Sequence, residues 1–142
     1  MTLVSVIIPT YNRAALLMGR ALPSVLAQTH AELDIHVVGD GTDQATVDAL
    51  ATVTDPRVQF TNLPHAEYPE DPEARWCAMG VPAINYGLAT ARGEWVSVLA
   101  DDDSLPPDAI EKIAVRFTVV GGRIVYVHGP PPLLRAEPAT KK

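Results

Sequence analysis

The sequence predicts an α/β fold in which helices flank a mostly parallel β-sheet. Three observations lead to it. Short β-branched runs alternate with stretches of helical spacing along most of the 142 residues, which is the rhythm of βαβ units. The first run, Leu3–Val4–Ser5–Val6–Ile7–Ile8, is apolar enough for burial on both faces, as parallel strands are. Polar or turn-forming clusters follow three of the predicted strands, at the sheet edge where ligands bind in such folds.

Taken in order, the first strand covers Leu3 to Ile8 and is stopped by Pro9. Leu16, Leu17, Ala21, Val25 and Leu26 give helical spacing from Arg13 to Gln28, and Pro23 should kink or divide that helix. Leu33 to Val38 is a second strand ended by Gly39–Asp40–Gly41. Thr42 or Asp43 caps a helix running to about Thr52, and Val58 to Phe60 is a short third strand. Asn62 to Glu73 reads as a polar loop, long enough to expect a function or mobility. Helical spacing resumes from Arg75 to Ala91 and stops at Gly93. Trp95 to Leu99 is a fourth strand, followed at once by Asp101–Asp102–Asp103. Pro107 opens a helix from Asp108 to about Val119, and Gly121–Gly122 turns the chain into a fifth strand, Ile124 to Val127. A single domain over residues 1–128 is expected, with 129–142 as a Pro-rich, loose tail.

The formal net charge is −6, and the largest basic cluster is Lys141–Lys142. Nucleic-acid binding is not expected, because phosphate backbones need a basic footprint. One cysteine, Cys77, cannot form an internal disulfide. With no membrane-length apolar run and no signal-peptide pattern, a cytosolic setting is expected, or the cytoplasmic face of a membrane through a partner. No Gly-rich phosphate loop of the Walker or dinucleotide type occurs, which argues against ATP hydrolysis and nicotinamide chemistry.

The clusters Pro9–Thr10–Tyr11, Gly39–Asp40–Gly41 and Asp101–Asp103 should face one crevice. Three adjacent carboxylates repel one another, and at a buried strand end the repulsion is poorly screened. A hard divalent cation shared with phosphate oxygens relieves it. The competing reading is a solvated acidic turn that caps the next helix. Arg13 is a candidate for steering a phosphate, and Arg75 precedes a helix beside Trp76. Arg92 reads as a solvated residue complementing a helix C-terminus, Trp95 as a packing residue and Cys77 as an inert thiol. The four histidines lack metal-ligand spacing, and His128, at a strand end, is the one to watch. Glu67, Glu70, Asp71 and Glu73 read as a solvated loop.

Five segments in order resemble the family 2 glycosyltransferases, which have the Rossmann-like GT-A fold. They are Val4–Arg13, Ser24–Thr29, Val38–Asp43, Asn85–Leu88 with Ala91–Trp95, and Asp101–Asp103 followed by Pro107–Asp108. The resemblance runs from about Leu3 to about Val127. It implies a nucleoside-diphosphate-sugar donor, with a UDP-sugar as first choice, and inverting transfer to an acceptor hydroxyl assisted by Mn²⁺ or Mg²⁺. Carried over residue by residue, Pro9, Thr10 and Tyr11 line the base and ribose, and Asp40 accepts a hydrogen bond from the base. Arg75 looks like the arginine that some members place near the base or phosphates, and Asp101 would stand by the ribose and metal. Asp102 is the first choice for direct metal ligation, and Asp103 would support it from outside the coordination sphere or serve as the alternate ligand. Ala100 stands where many members have Asp, and Gly39 replaces the first of two acidic residues in the second-strand turn.

Members of the family continue well past the fifth strand, into a half that supplies the acceptor site and a base. No residue here matches that base, and Glu137 lies in the Pro-rich tail. The expectation is a GT-A portion truncated after the fifth strand, either the donor half of an enzyme or a binding module without turnover. An uncovered sheet edge would promote self-association. A phosphoacceptor signalling domain is a third class, but it needs an acidic pair after the first strand, where Pro9–Thr10 stand.

Overall fold

The computed structural model describes residues 2–112 and the backbone of the strands at 117–120 and 123–127. Residues 1–111 form one compact unit and 112–142 a second. Helix Asp108–Val119, the loose tail from 129, His128 and Glu137 fall partly or wholly outside the described residues.

The first unit is built on a parallel sheet of order β3-β2-β1-β4. Its strands are β1 (Val4–Thr10), β2 (Leu33–Asp40), β3 (Val58–Leu63) and β4 (Trp95–Val98). Each of the first three continues two or three residues past its expected end. Pro9 does not stop β1. The Leu3 and Ile7 carbonyls accept from Glu94 and Leu99 of the β4 side. By the two-residue alternation, the N–H that Pro9 lacks would point to the same side, beyond the end of β4.

The alternation also divides the core. Val4, Val6 and Ile8 share a buried face with Leu33, Ile35 and Val37, which are in register one strand over. Leu17, Ala21, Leu22 and Val25 cover that face. They lie on a helical segment formed by α1 (Ala14–Leu16), a π-helical turn (Leu17–Ala21) and α2 (Leu22–Leu26). Pro23 divides it as expected. A proline cannot donate to the carbonyl four residues back and needs room there, and the wider turn just before it supplies that room, with Leu22 N–H donating to the Leu17 carbonyl. Leu50 of α3 (Gln44–Ala51) joins the same core, and Asp43 caps α3 by accepting from Thr46 N–H.

The long helix expected over 75–91 is two helices, α4 (Pro72–Ala78) and α5 (Val81–Thr90). Pro82, in the first turn of α5, would remove a hydrogen bond from a continuous helix and clash with Ala78. The break falls at Gly80, with φ of 79°. Asp71 caps α4, so the predicted loop shrinks at both ends: Asn62 and Leu63 belong to β3, and Pro72 and Glu73 to α4. α5 packs on the other sheet face, against β1 and β2.

That face carries polar residues near the amino ends of the strands. Asp34 is fully buried. It accepts from Ser5 Oγ (2.9 Å), Gln59 Nε2 (2.9 Å), Arg92 N–H (3.0 Å) and the Arg92 guanidinium (2.5 Å), and pairs with His36 Nε2 (2.8 Å). Arg92 is therefore the exposed end of an ion pair to the core and not merely a solvated helix-end residue. Burial opposes ionisation of Asp34, but the hydrogen bonds from Arg92, His36 and Ser5 outweigh it and hold the carboxyl well below the usual carboxylate range.

β4 is an edge strand. Trp95, Val96 and Val98 are about half exposed, so Trp95 does not pack as the sequence suggested. Cys77 is also exposed. Residues 107–112 form turns and not the start of a helix. In the second unit, β5 (Phe117–Val120) and β6 (Arg123–Val127) pair antiparallel in a separate two-stranded sheet. Phe117–Thr118–Val119–Val120 is a β-branched and aromatic run, better suited to a strand than to the predicted helix end. No helix among the described residues is long and apolar enough to cross a membrane.

Candidate functional site

At the carboxyl edge of the sheet, the turns after β1, β2 and β4 are tied to one another. Thr10, the last residue of β1, donates its hydroxyl to Asp101 Oδ2 at 2.8 Å. Asn12 takes the left-handed conformation, φ 52°, which a short polar side chain tolerates. Its amide oxygen accepts from Asp43 N–H at 2.7 Å, while its own N–H donates to Thr42 Oγ1 at 2.8 Å. These bonds clamp the β1 turn to the N-terminus of α3.

The β2 turn is packed from behind by β3 and its loop. A Cβ on Gly39 would lie 2.5 Å from Asn62 Oδ1. The Asn62 amide accepts from Thr42 N–H (2.9 Å) and donates to the Thr42 carbonyl (3.1 Å). The space of the missing acidic residue is thus taken by an amide that fixes the same turn. Gly41 has φ of 62°, and a Cβ there would lie 2.6 Å from the His65 backbone.

Asp40 ends β2 and is nearly buried. Its Oδ1 accepts from Ala66 N–H (2.8 Å) and its Oδ2 from the Tyr68 hydroxyl (2.6 Å). His65 Nδ1 bonds to the Asp40 carbonyl at 2.9 Å, and its ring stacks on Tyr11, with centroids 4.9 Å apart and 22° between planes. Tyr68 meets the same imidazole edge-on at 5.8 Å. Burial first, and then the Asp40 carboxylate, push the Tyr68 hydroxyl up to about 12, against the opposing pull of the Gly80 amide. Spectrophotometric titration should show a phenol component ionising near pH 12, and Tyr68→Phe should remove it. A titration in which Tyr68→Phe removes only a component near pH 10 would contradict the Tyr68–Asp40 contact.

The β4 turn carries the acidic triplet. Asp101 is buried, Asp102 half-buried and Asp103 exposed. Arg13 Nη1 bonds to Asp102 Oδ2 at 2.8 Å and to Asp101 Oδ1 at 3.3 Å, and Arg20 donates to the Asp102 carbonyl at 2.9 Å. The repulsion expected within the triplet is met here by a guanidinium.

These groups line a cavity of about 660 Å³, within the range of small-molecule sites. Pro9, Thr10, Tyr11, Arg13, Asp40, Arg75, Asp101 and Asp102 all line it, so the three strand-end clusters meet as expected. Asp103 is not among its lining residues. Arg75 reaches the wall from α4, its Nε donating to the Pro69 carbonyl at 2.9 Å. His65, Tyr68, Trp76 and Met79, which the sequence did not mark as site residues, line the same space. For His65 and Tyr68 the signal was the length of the loop after β3; Trp76 and Met79 belong to α4 and its C-terminal cap, where no local pattern marks them.

The donor set suits a divalent ion of a particular kind. Among the described residues, no three His, Cys, Asp or Glu side chains stand close enough to form a protein cage. Asp102 nevertheless keeps Oδ1 free of hydrogen bonds among those residues, and the Arg13 guanidinium already stands as a cation between two carboxylates. Such a set fits Mg²⁺ or Mn²⁺ bound by one or two carboxylates together with phosphate oxygens.

The model for glycosyl transferase family 2 matches residues 5–129, and the chain belongs to that family. It is 31% identical over 121 residues to the succinoglycan biosynthesis protein ExoO of Rhizobium meliloti (strain 1021), covering 85% of this chain and 31% of that protein. It is 30% identical over 117 residues to a chondroitin synthase of Pasteurella multocida (strain Pm70), covering 81% of this chain and 11% of the synthase. The chain thus spans about a third or less of the length of these relatives. Among solved structures, the fold matches S. aureus TarS 1-349 in complex with UDP-GlcNAc, with a TM-score of 0.62, 22% identity and coverage of 77% of this chain and 29% of that one. It also matches the mannosyltransferase PcManGT from Pyrobaculum calidifontis in complex with GDP-Man and Mn²⁺, with a TM-score of 0.54, 27% identity and coverage of 74% and 29%.

Proposed function

We propose that this chain forms the donor site of a glycosyltransferase that moves a sugar from a nucleoside diphosphate to an acceptor hydroxyl, with inversion and with the help of a divalent cation. The observation that carries the reading is the convergence of Thr10, Tyr11, Asp40 and Asp101 on one cavity at the carboxyl edge of a family 2 domain. The aromatic end, with Tyr11 stacked on His65, suits a nucleobase and ribose. Asp40, held by Ala66 and Tyr68, suits recognition of a base N–H through its remaining lone pairs. Arg13 and Arg75 suit the phosphates. Asp102, with Asp103 as the alternate ligand, would hold the cation, which when bound neutralises charge developing on the leaving diphosphate. UDP is the first nucleotide to test and GDP the second, the two fold neighbours being complexes with UDP-GlcNAc and GDP-Man.

For this chain by itself, binding without transfer is the second reading. An inverting displacement needs a base within hydrogen-bond reach of the acceptor hydroxyl. The cavity carboxylates Asp40, Asp101 and Asp102 are already engaged with Tyr68, Thr10 and Arg13 respectively. Residues 1–128 are proposed as the donor-binding part. Calorimetric titration with UDP, with and without Mn²⁺, is expected to give metal-dependent binding and at most slow hydrolysis of a UDP-sugar. Failure of UDP, GDP and dTDP to bind under any metal condition would sink both readings.

A further inference from the structure

Arg13 sits where the charge of a cation is wanted. Its Nη1 lies 2.8 Å from Asp102 Oδ2 and 3.3 Å from Asp101 Oδ1, so one guanidinium spans two of the three carboxylates that line the cavity. Its side chain is 47% exposed, belongs to the turn just before α1 and lines the cavity. Arg20 adds a second positive charge at the Asp102 carbonyl. Asp101 is further committed to Thr10. A dication approaching Asp102 Oδ1 therefore meets a carboxylate whose charge is largely answered, and a guanidinium a few ångströms away that repels it.

We propose that Arg13 is a positioning residue that closes the cation position until a diphosphate arrives. The diphosphate offers the guanidinium a bidentate partner of higher charge than Asp102. When Arg13 turns to it, Asp102 is released for the dication at the moment phosphate oxygens become available to complete the coordination. Cation and nucleotide then bind as a coupled pair, each raising the affinity for the other by the same factor. The proposal rests on the donor-site reading for the diphosphate, but its first half concerns the chain and the metal alone.

The test is Mn²⁺ binding to the intact chain without nucleotide, read by electron paramagnetic resonance of free Mn²⁺. The wild type is expected to bind Mn²⁺ weakly. Arg13→Gln keeps a hydrogen-bonding side chain and removes the charge, and it should raise metal-only affinity by about tenfold or more. Arg13→Lys, which keeps the charge, should stay within about threefold of wild type. The gain in Arg13→Gln should vanish in Arg13→Gln/Asp102→Asn, which ties it to the Asp102 carboxylate. Thermal unfolding of each variant reports whether the fold is retained. Unchanged or weaker metal-only affinity in a folded Arg13→Gln variant would overturn the proposal, as would equal gains in the Gln and Lys variants. If no nucleoside diphosphate binds while Arg13→Gln still gains Mn²⁺ affinity, the donor reading fails and the closing role of Arg13 stands. In the nucleotide arm, UDP should raise Mn²⁺ affinity less in Arg13→Gln than in wild type, after correction for Mn²⁺ bound to free UDP. An equal rise in both would also count against the coupling.

Discussion

Asp34→Ala is expected to lower the unfolding free energy by about 3 kcal/mol and the melting temperature by roughly 10 °C. The loss does not come mainly from the ion pair. The Arg92 side chain is 67% exposed, and an ion pair with one end in water contributes little. It comes from the buried donors left behind. Ser5 is fully buried and His36 nearly so, and both point at Asp34, as does Gln59 from β3. A buried donor without a partner costs about 1–3 kcal/mol. Arg92→Ala should be milder, because the Asp34 carboxylate loses its guanidinium but keeps Ser5, His36, Gln59 and the backbone N–H of residue 92 as partners. A melting temperature for Asp34→Ala within about 3 °C of wild type would mean that Asp34 does not organise these three strands.

The same carboxylate makes stability depend on pH. Its folded-state value is held below its unfolded one. Its contribution is therefore complete above about pH 4 and is lost as the pH falls toward the folded value. Urea unfolding at intervals between pH 5 and pH 2 should show a steeper acid loss for wild type than for Asp34→Asn, which cannot ionise. Parallel acid limbs for the two would assign the loss to other carboxylates.

Why the sequence announced some of these features and hid others can be argued from particular residues. β1 was legible because Val4, Val6, Ile7 and Ile8 are a run that only a doubly buried strand accommodates. Asp43 as a cap and Pro23 as a divider were legible because each acts within one turn of its own position. Thr10, Asp40 and Asp101 could be placed together because the carboxyl ends of parallel strands share an edge. What failed depended on partners distant in sequence. Arg92 looked like a solvated helix end, but its partner lies 58 residues earlier, on β2. His65 and Tyr68 looked like loop residues, but a left-handed Gly41 lets the loop cross the end of β2 and lay an imidazole on Tyr11. Pro82 was local, and its break at Gly80 could have been read from the sequence. The engagement of the acidic triplet by Arg13 bridges 88 and 89 positions, and no spacing rule reaches that far.

The crossing at Gly41 leads to the second large effect. Gly41→Ala should reduce UDP affinity at least tenfold while lowering the melting temperature by only a few degrees. Two costs combine. An alanine at φ 62° is strained by about 1–2 kcal/mol. Its Cβ would also lie 2.6 Å from the His65 N and Cβ and 2.7 Å from its Cα. These are largely backbone atoms, so no rotamer change relieves the overlap and the loop itself must lift. Lifting it draws His65 from Tyr11 and Ala66 N–H from Asp40 Oδ1, which are the contacts that shape the aromatic end of the cavity. The sheet beneath is untouched, which is why binding should suffer more than folding. Gly19→Ala is the matched control. Nothing lies within 4 Å of a Cβ there, and an exchange of glycine for alanine in a helical segment is neutral or stabilising by up to about 1 kcal/mol. Calorimetric titration of UDP into both variants separates the outcomes. If Gly41→Ala binds as tightly as Gly19→Ala, the loop over Asp40 is not part of the nucleotide site, and Tyr11 must meet the base without the support of His65.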